Sequence, residues 1–432
     1  MSEWIHSTVG AVTAYQRAGG TPSVTVDEYY GGEIPFVTIE DITKSTRFLD
    51  KTEKRLSEKG LLNSAAWLIK EPHILYSMYA TVGKPIINHI PCATNQAIIA
   101  LKESPEIEQS FLYYQLLFIR PQVYKYTSQT TQSNLNAGSV KKLSISYPKD
   151  RQQQQKIVAV LSSIDVAIEK TETLIAKYQQ IKAGLMHDLF TRGVTADGKL
   201  RPPREQAPEL YQETPIGWIP KEWKVKLLGT LAEIVSGVTL GAKGEISDEI
   251  EVPYLRVANV QDGYLDLTEV KTVRVSRSQL EKLQLQFGDV LMNEGGDFDK
   301  LGRGSVWQEE IKPCIHQNHV FRVRPRDGQL RSYFLAFWSQ SEMGKKYFVL
   351  NSKQSTNLAS INSTQLNRFP VAVPSSVEQE RIETRIVALN GHVVSLEQEL
   401  SKLHQQKHGL MHDLLTGSVR VLEDIQLATV VL

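Results

Sequence analysis

The chain has 432 residues, of which 41% are hydrophobic, and a net charge of +1 from 49 Lys+Arg against 48 Asp+Glu. That length allows about three units of ordinary domain size, and no apolar run approaches the ~18 residues of a membrane span. The start, Met1-Ser2-Glu3-Trp4, lacks the basic and apolar stretches of a signal peptide, so the expected place is the cytoplasm. Near-neutral charge counts against a uniformly basic nucleic-acid binder, although charge segregated within a fold remains compatible with one.

Residues 1–150 read as a first globule. Its signposts are Glu3-Trp4, Gly10, Ile34-Pro35-Phe36-Val37, Pro91-Cys92 and Leu143-Ser144-Ile145-Ser146-Tyr147-Pro148. An aromatic-rich helical stretch, Phe111 to Tyr126, precedes a polar loop holding Gln129, Thr130, Thr131 and Gln132. Gln can read adenine bidentately and Thr hydroxyls suit phosphates, so these four are candidate DNA contacts, against a plain solvated turn. The basic pair Lys141 and Lys142 is a further candidate phosphate contact, weighed against an ordinary solvated face.

Residues 151–192 form the first long helix. Ile157, Leu161, Ile164, Ile168, Ile175, Tyr178, Leu185 and Leu189 alternate spacings of four and three, a heptad seam, with Thr171 and Lys182 as polar defects. At 1.5 Å per residue the helix spans roughly 50–60 Å. Five prolines between residues 192 and 222 predict an extended connection, with 193–215 as linker proper. Residues 216–374 read as a second globule. Trp223, Gly229, Val252-Pro253-Tyr254-Leu255, Pro313-Cys314, Asn357-Leu358 and Phe369 to Pro374 match first-half signposts with an offset drifting from 218 to 226. Lys353, Gln354 and Ser355 lie in the loop that corresponds to 128–134, and Lys300 and Arg303 lie in a glycine-rich loop; all five are candidate DNA contacts.

Residues 375–417 form the second long helix and 418–432 a tail. The offset here is a constant 225: Gly184-Leu185-Met186-His187-Asp188-Leu189-Phe190-Thr191 returns as Gly409-Leu410-Met411-His412-Asp413-Leu414-Leu415-Thr416. A fixed internal period dictates architecture. Gly184 and Gly409 each cost a helix about 1 kcal/mol relative to alanine, which points to close approach of another helix or chain. With His187 and His412 they are candidate docking or helix-pair residues.

Catalytic signatures are missing. There is no phosphate-cradling GxxxxGK[ST], no GxSxG elbow, no HExxH and no flipped-base deaminase pattern. Asp297-Phe298-Asp299-Lys300 superficially resembles a metal-nuclease cluster but has no first-half counterpart. Cys92 and Cys314 occupy equivalent places without CxxC partners and read as small buried residues rather than zinc ligands.

The pattern resembles the specificity subunit of type I restriction–modification systems. The resemblance rests on Ile216-Gly217-Trp218-Ile219-Pro220-Lys221-Glu222-Trp223 opening the second globule, on Pro148 and Pro374 followed by Gln/Glu-rich helix starts, and on the duplicated GLMHDL[FL]T ends. It implies an α+β protein: two α/β target-recognition globules separated by two long antiparallel coiled-coil helices in an internal pseudo-twofold repeat. It further implies that each globule reads one half of a split, asymmetric DNA site. Two methyltransferase subunits would dock on the frame and methylate adenine N6, and restriction/translocase subunits would complete the complex. The family's subunit is non-catalytic: S-adenosylmethionine, ATP and Mg are expected on partner subunits and no cofactor or metal on this chain. The rival expectations are a coiled-coil scaffold that binds no DNA, and a fused methyltransferase or nuclease.

Overall fold

The computed structural model describes residues 3–123, 134–240, 248–296, 301–326, 328–354 and 359–421. The chain divides into two compact units that do not follow chain order. One comprises Met1–Thr173 with Gln398–Leu432; the other comprises Leu174–Glu397.

In the first unit a five-stranded sheet runs Thr13–Ala18, Ile98–Glu103, Ile74–Ser77, Pro85–Asn88 and Phe48–Leu49 in spatial order. A three-stranded sheet holds Lys54–Leu56, Tyr30–Val37 and Ala93–Thr94, and Trp4–Thr8 pairs antiparallel with Ser144–Pro148. The helix Gln109–Val123 covers the large sheet; its Phe111, Leu112, Tyr114 and Leu116 are buried there among Ile74, Ile99 and Leu101. The second unit repeats this scheme. Ala232–Ser236, Val320–Pro325, Val290–Asn293 and Gly304–Val306 form a four-stranded sheet. Lys271–Ser276, Glu249–Leu255 and Ile315–His316 form the three-stranded one, and Lys224–Leu227 pairs with Pro370–Val373. The covering helix is broken here into Ser332–Gln340 and Glu342–Asn351, because Ser341 caps the second piece by accepting from the Gly344 N–H.

The seam residues form two helices, Arg151–Thr191 and Ser376–Leu415, each about 60 Å long. Asp150 accepts from the Gln152 N–H and Ser375 from the Glu378 N–H, so both helices are capped at matching places. Gly193 and Gly417 end them in the left-handed region, at φ +65° and +76°. Within each unit the start of one helix lies with the end of the other, an antiparallel arrangement. In the first unit Ile157 and Leu161 share a core with Met411, Leu414 and Leu415, and in the second Leu189 and Phe190 share one with Ile382 and Ile386.

Each globule is fixed to its helix start by the same buried residue. Gln154 donates to the carbonyls of Glu106 and Pro148 and accepts from the Glu108 N–H. Gln379, 225 residues on, donates to those of Gln329 and Pro374 and accepts from the Arg331 N–H. Each helix end is fixed by the same glycine–tryptophan contact. A Cβ on Gly417 would stand 2.5 Å from Trp4 Cε2, and one on Gly193 2.7 Å from Trp223 Cζ2.

The proline-rich connection is not a loose linker. Tyr211–Thr214 and Gly217–Pro220 form a hairpin, and the Tyr211 hydroxyl donates to the Pro202 carbonyl. Arg201, 6% exposed, donates to the Glu378 carboxylate at 2.6 Å, and that carboxylate also accepts from the Val194 N–H. The prolines exclude a helix, but this buried pair packs the segment onto the second unit.

Candidate nucleic-acid interface

In both units one strand of the large sheet is buried on both faces, Ile74–Ser77 in the first and Val290–Asn293 in the second. The residue that follows it is held by two main-chain bonds. The Met78 N–H donates to the Ala97 carbonyl at 2.8 Å, and the Met78 carbonyl accepts from Leu135 N–H at 2.9 Å. The Glu294 N–H donates to the His319 carbonyl at 2.9 Å, and the Glu294 carbonyl accepts from Ile361 N–H at 2.8 Å. Three segments therefore meet at one place in each unit: a strand end, the return loop after the small parallel strand, and the exit of the polar loop.

In the second unit this meeting point gains a further small sheet. Gly295–Gly296 pairs with Ala359–Ser360, which pairs with Lys353–Gln354. Lys353 and Gln354 thereby come to the same edge as the glycine-rich segment that leads toward Arg303. Gly295 is required by the approach: a Cβ there would lie 2.9 Å from the Ala359 carbonyl oxygen. Arg303 donates to the Gln261 side chain at 3.3 Å, and Ser305 to the carbonyls of Gln261 and Tyr264. Tyr264 is 62% exposed. Glu294 and His319 form a side-chain pair at 2.6 Å.

Other sequence candidates fall elsewhere. Lys141 ends the short helix Ala137–Lys141, and its carbonyl accepts from Gly10 N–H beside the two-stranded sheet. Lys141 and Lys142 are exposed there, away from the strand-end bonds. Gln129, Thr130, Thr131, Gln132, Lys300 and Ser355 lie outside the described residues, as do Asp297 and Asp299. Sequence reading missed Glu294, His319, Gln261 and Tyr264. The signal available for His319 was its place directly after Gln317-Asn318, the repeat partner of Asn95-Gln96.

Gly184 and Gly409 do not serve a helix pair within this chain, one of the two alternatives the sequence offers. Neither has any atom of the described residues within 4 Å of a built Cβ, so no helix of this chain approaches them, and approach by another chain is the alternative that stands. Each falls between two seam positions on the outward side of its helix. His187 lies 3.4 Å from the Glu342 carboxylate, and the His412 ring stands edge-on to Phe118 at 6.3 Å. Each histidine thus reaches the covering helix of its own unit. Beside each helix end is a hollow: about 430 Å³ next to Phe190, Thr191, Ser341 and Glu342, and about 530 Å³ next to Leu415, Thr416, Phe118 and Ile119.

Burial pushes the thiols of Cys92 and Cys314 up to about 12 and so holds them as unreactive neutral groups. Burial drives His316 the other way, down to about 4, with its Nδ1 bonded to the Val320 carbonyl. Among the described residues no group of three His, Cys, Asp or Glu side chains is placed to hold a metal, and no helix is long and apolar enough to cross a membrane.

Two stretches, residues 1–180 and 220–403, match the family described as type I restriction modification DNA specificity domain. The chain belongs to that family. It carries the DNA-sequence-specificity role of a type I restriction–modification system, as a specificity subunit. The MjaIX specificity subunit of Methanocaldococcus jannaschii is 21% identical over 411 residues, 94% of this chain and 91% of the relative. The Escherichia coli EcoKI specificity subunit is 21% identical over 96% of this chain and 88% of its own length. The putative MjaX specificity subunit of Methanocaldococcus jannaschii is 25% identical over 49% of each chain. The fold is shared with the S subunit from M. genitalium, with a TM-score of 0.57 at 15% identity over 96% of both chains. The specificity subunit thus has two α/β globules and two long helices, as its repeat predicts.

Proposed function

We propose that this specificity subunit reads a split, asymmetric DNA sequence, one half per unit, and directs partner methyltransferases to adenine N6 within it. The observation that carries the reading is the meeting point described above. The same main-chain bonds recur in both units, while the side chains they present differ: Met78 and Ala97 in one, Glu294 and His319 in the other. One scaffold presenting two surfaces suits two unlike half-sites, since phosphate contacts position a protein and side chains at base edges select sequence. Tethering two weak readers in one chain makes the second contact intramolecular and raises affinity.

The repeated hollows beside the helix ends support two docking places, one for each of two methyltransferase subunits. In this reading the chain supplies no catalytic group and no cofactor. S-adenosylmethionine binds the methyltransferases, and ATP and Mg serve the restriction subunits that complete the complex in the cytoplasm. The length of the helices sets the number of unread base pairs.

The test is an exchange. Residues 1–150 are replaced by the equivalent region of a relative, the chain is produced with its methyltransferase subunits, and methylated adenines are mapped in genomic DNA. One half-site changes and the other persists; a change in both contradicts the reading. The purified subunit alone transfers no methyl group, and transfer by it would overturn the non-catalytic role. One heptad inserted into both helices changes the spacer and leaves both half-sites intact.

A further inference from the structure

We propose that Glu294 and His319 are the base-reading pair of the second unit, with the Glu294 carboxylate accepting the exocyclic amino group of a cytosine in the major groove. The proposal rests on the reading that each unit recognises one half-site.

Three observations carry it. First, both residues sit at a fixed main-chain junction: Glu294 N–H on the His319 carbonyl, and Ile361 N–H on the Glu294 carbonyl. A reading group needs such fixing, because a mobile one loses discrimination to conformational entropy. Second, the pair is accessible and only partly satisfied. The Glu294 side chain is 28% exposed and that of His319 56%. The described residues give the Glu294 carboxylate one side-chain partner, His319 Nδ1 through Oε2, and leave Oε1 and the imidazole Nε2 without one. Third, the two matching positions of the first unit, Met78 and Ala97, carry no charge. Met78 is buried and Ala97 is apolar, on the same main-chain bonds. A carboxylate–imidazole pair at one copy of a repeated junction is what separates two readers built on one scaffold.

The chemistry selects the base. An ionised carboxylate only accepts hydrogen bonds. His319 Nδ1 is bonded to Oε2, which leaves Oε1 as the acceptor for a base. A carboxylate oxygen matches an amino group and opposes guanine, which offers O6 and N7 acceptors in the major groove. Among amino-bearing bases, adenine is read best by a group that both donates and accepts, as Asn or Gln does, whereas a lone carboxylate fits cytosine N4. Lys353 lies on the small sheet that continues from Gly295 and supplies positive charge at the same edge.

The experiment uses the full chain with its methyltransferase subunits, as wild type, E294Q and H319Q. Methylated adenines are mapped in host DNA, and binding to duplexes substituted at each position of the wild-type site is measured by competition. A partly exposed side-chain pair contributes little to stability, so the variants fold. E294Q is expected to relax discrimination at one cytosine of the second half-site by about 10-fold or more, with the first half-site unchanged. H319Q is expected to act at that position or its neighbour. If E294Q abolishes methylation, the competition series decides: lost discrimination at a single position supports the pair, and uniform weakening overturns it. A wild-type motif retained by E294Q overturns the assignment alone. A wild-type complex that marks no two-part site overturns the half-site reading, and this proposal with it.

Discussion

Leu75 faces Ala100 across the large sheet of the first unit; Leu291 faces Arg322 at the same place in the second. The first position belongs to an apolar cluster with Ile86 and Ile98. At the second, Leu291 stays in an apolar cluster with Leu255 and Leu285, while Arg322 belongs to a buried polar one: Arg322 donates to the carbonyls of Lys282 and Gln284, Arg324 is doubly bonded to Asp289, and His316 lies among them. The ladders keep the same order and pairing. Register is therefore set by main-chain bonds, and one side of the sheet can exchange hydrocarbon for ion pairs without altering it. What stays constant is smaller: a glutamine at each helix start, a glycine under a tryptophan at each helix end, and the seam between.

The largest expected break in this likeness is at Glu378. Its repeat partner, Gln153, is half-buried and uncharged, so the buried charge pair at this position belongs to the second unit. Glu378→Gln removes the buried carboxylate and leaves Arg201 only its ion pair with the exposed Glu222, a loss of about 3 kcal/mol. Hydrogen exchange resolved by peptide reads it as weaker protection across residues 174–397, whereas Gln153→Ala stays within about 0.5 kcal/mol.

Acid separates the units next. The folded pKa of His316 is about 4 against an ordinary 6.5, so between those values the unfolded chain binds the extra proton. The stability this neutral histidine confers is present above pH ~6.5 and is lost as pH falls toward 4. The loss is on the order of 3 kcal/mol. The matching residue of the first unit is Thr94, which does not titrate. Denaturant midpoints at pH 7 and 5 should fall further for the second unit, and His316→Gln should remove that share of the slope.

Gly417→Ala and Gly193→Ala sharpen the likeness instead. Both residues have positive φ; a methyl group at 417 would press into Trp4, and one at 193 into the Glu378–Arg201 pair as well as Trp223. Each substitution should cost about 2 kcal/mol by thermal unfolding, and a larger cost at 193 would measure the added clash with the ion pair. The smallest effect concerns the seam lysines. Lys407 pairs with Asp165 at 2.6 Å, while the residue facing the repeat of that arrangement is Asn390, and Lys182 has no ion pair among the described residues. Burial lowers the Lys182 pKa. Lys407→Met should cost about 1 kcal/mol, and Lys182→Met should be neutral or stabilising.

Both helices were legible to within two residues, because seam, caps and terminal glycines all act locally and the exact repeat checked one copy against the other. Paired signposts such as Pro91-Cys92 and Pro313-Cys314 located the globules. The antiparallel packing of helix start on helix end agreed with the resemblance. Less legible was whatever depends on contacts distant in sequence. The prolines of 202–220 excluded a helix but gave no sign of the Arg201–Glu378 pair, which joins residues 177 apart. The cost of glycine in a helix pointed to another helix or chain at Gly184 and Gly409; their outward positions leave open space on this chain, which removes only the first alternative. At the candidate interface, the Lys353 loop and the Arg303 loop were found separately. Their meeting through Gly295–Gly296 and Ala359–Ser360 is a tertiary pairing that no local pattern encodes. Glu294 and His319 escaped notice because their pairing joins residues 25 apart, although His319 closes the polar run His316-Gln317-Asn318.

The first unit draws its last elements from the far end of the chain. Gln115, inside its covering helix, donates to the carbonyl of Leu415, 300 residues later. At translation rates of about 5–20 residues per second, that acceptor leaves the ribosome roughly 15–60 s after its donor. The second unit, one continuous stretch of chain, can close first. The N-terminal globule is made earliest and finished last, with the place for Met411, Leu414 and Leu415 open to chaperones or proteases throughout that wait.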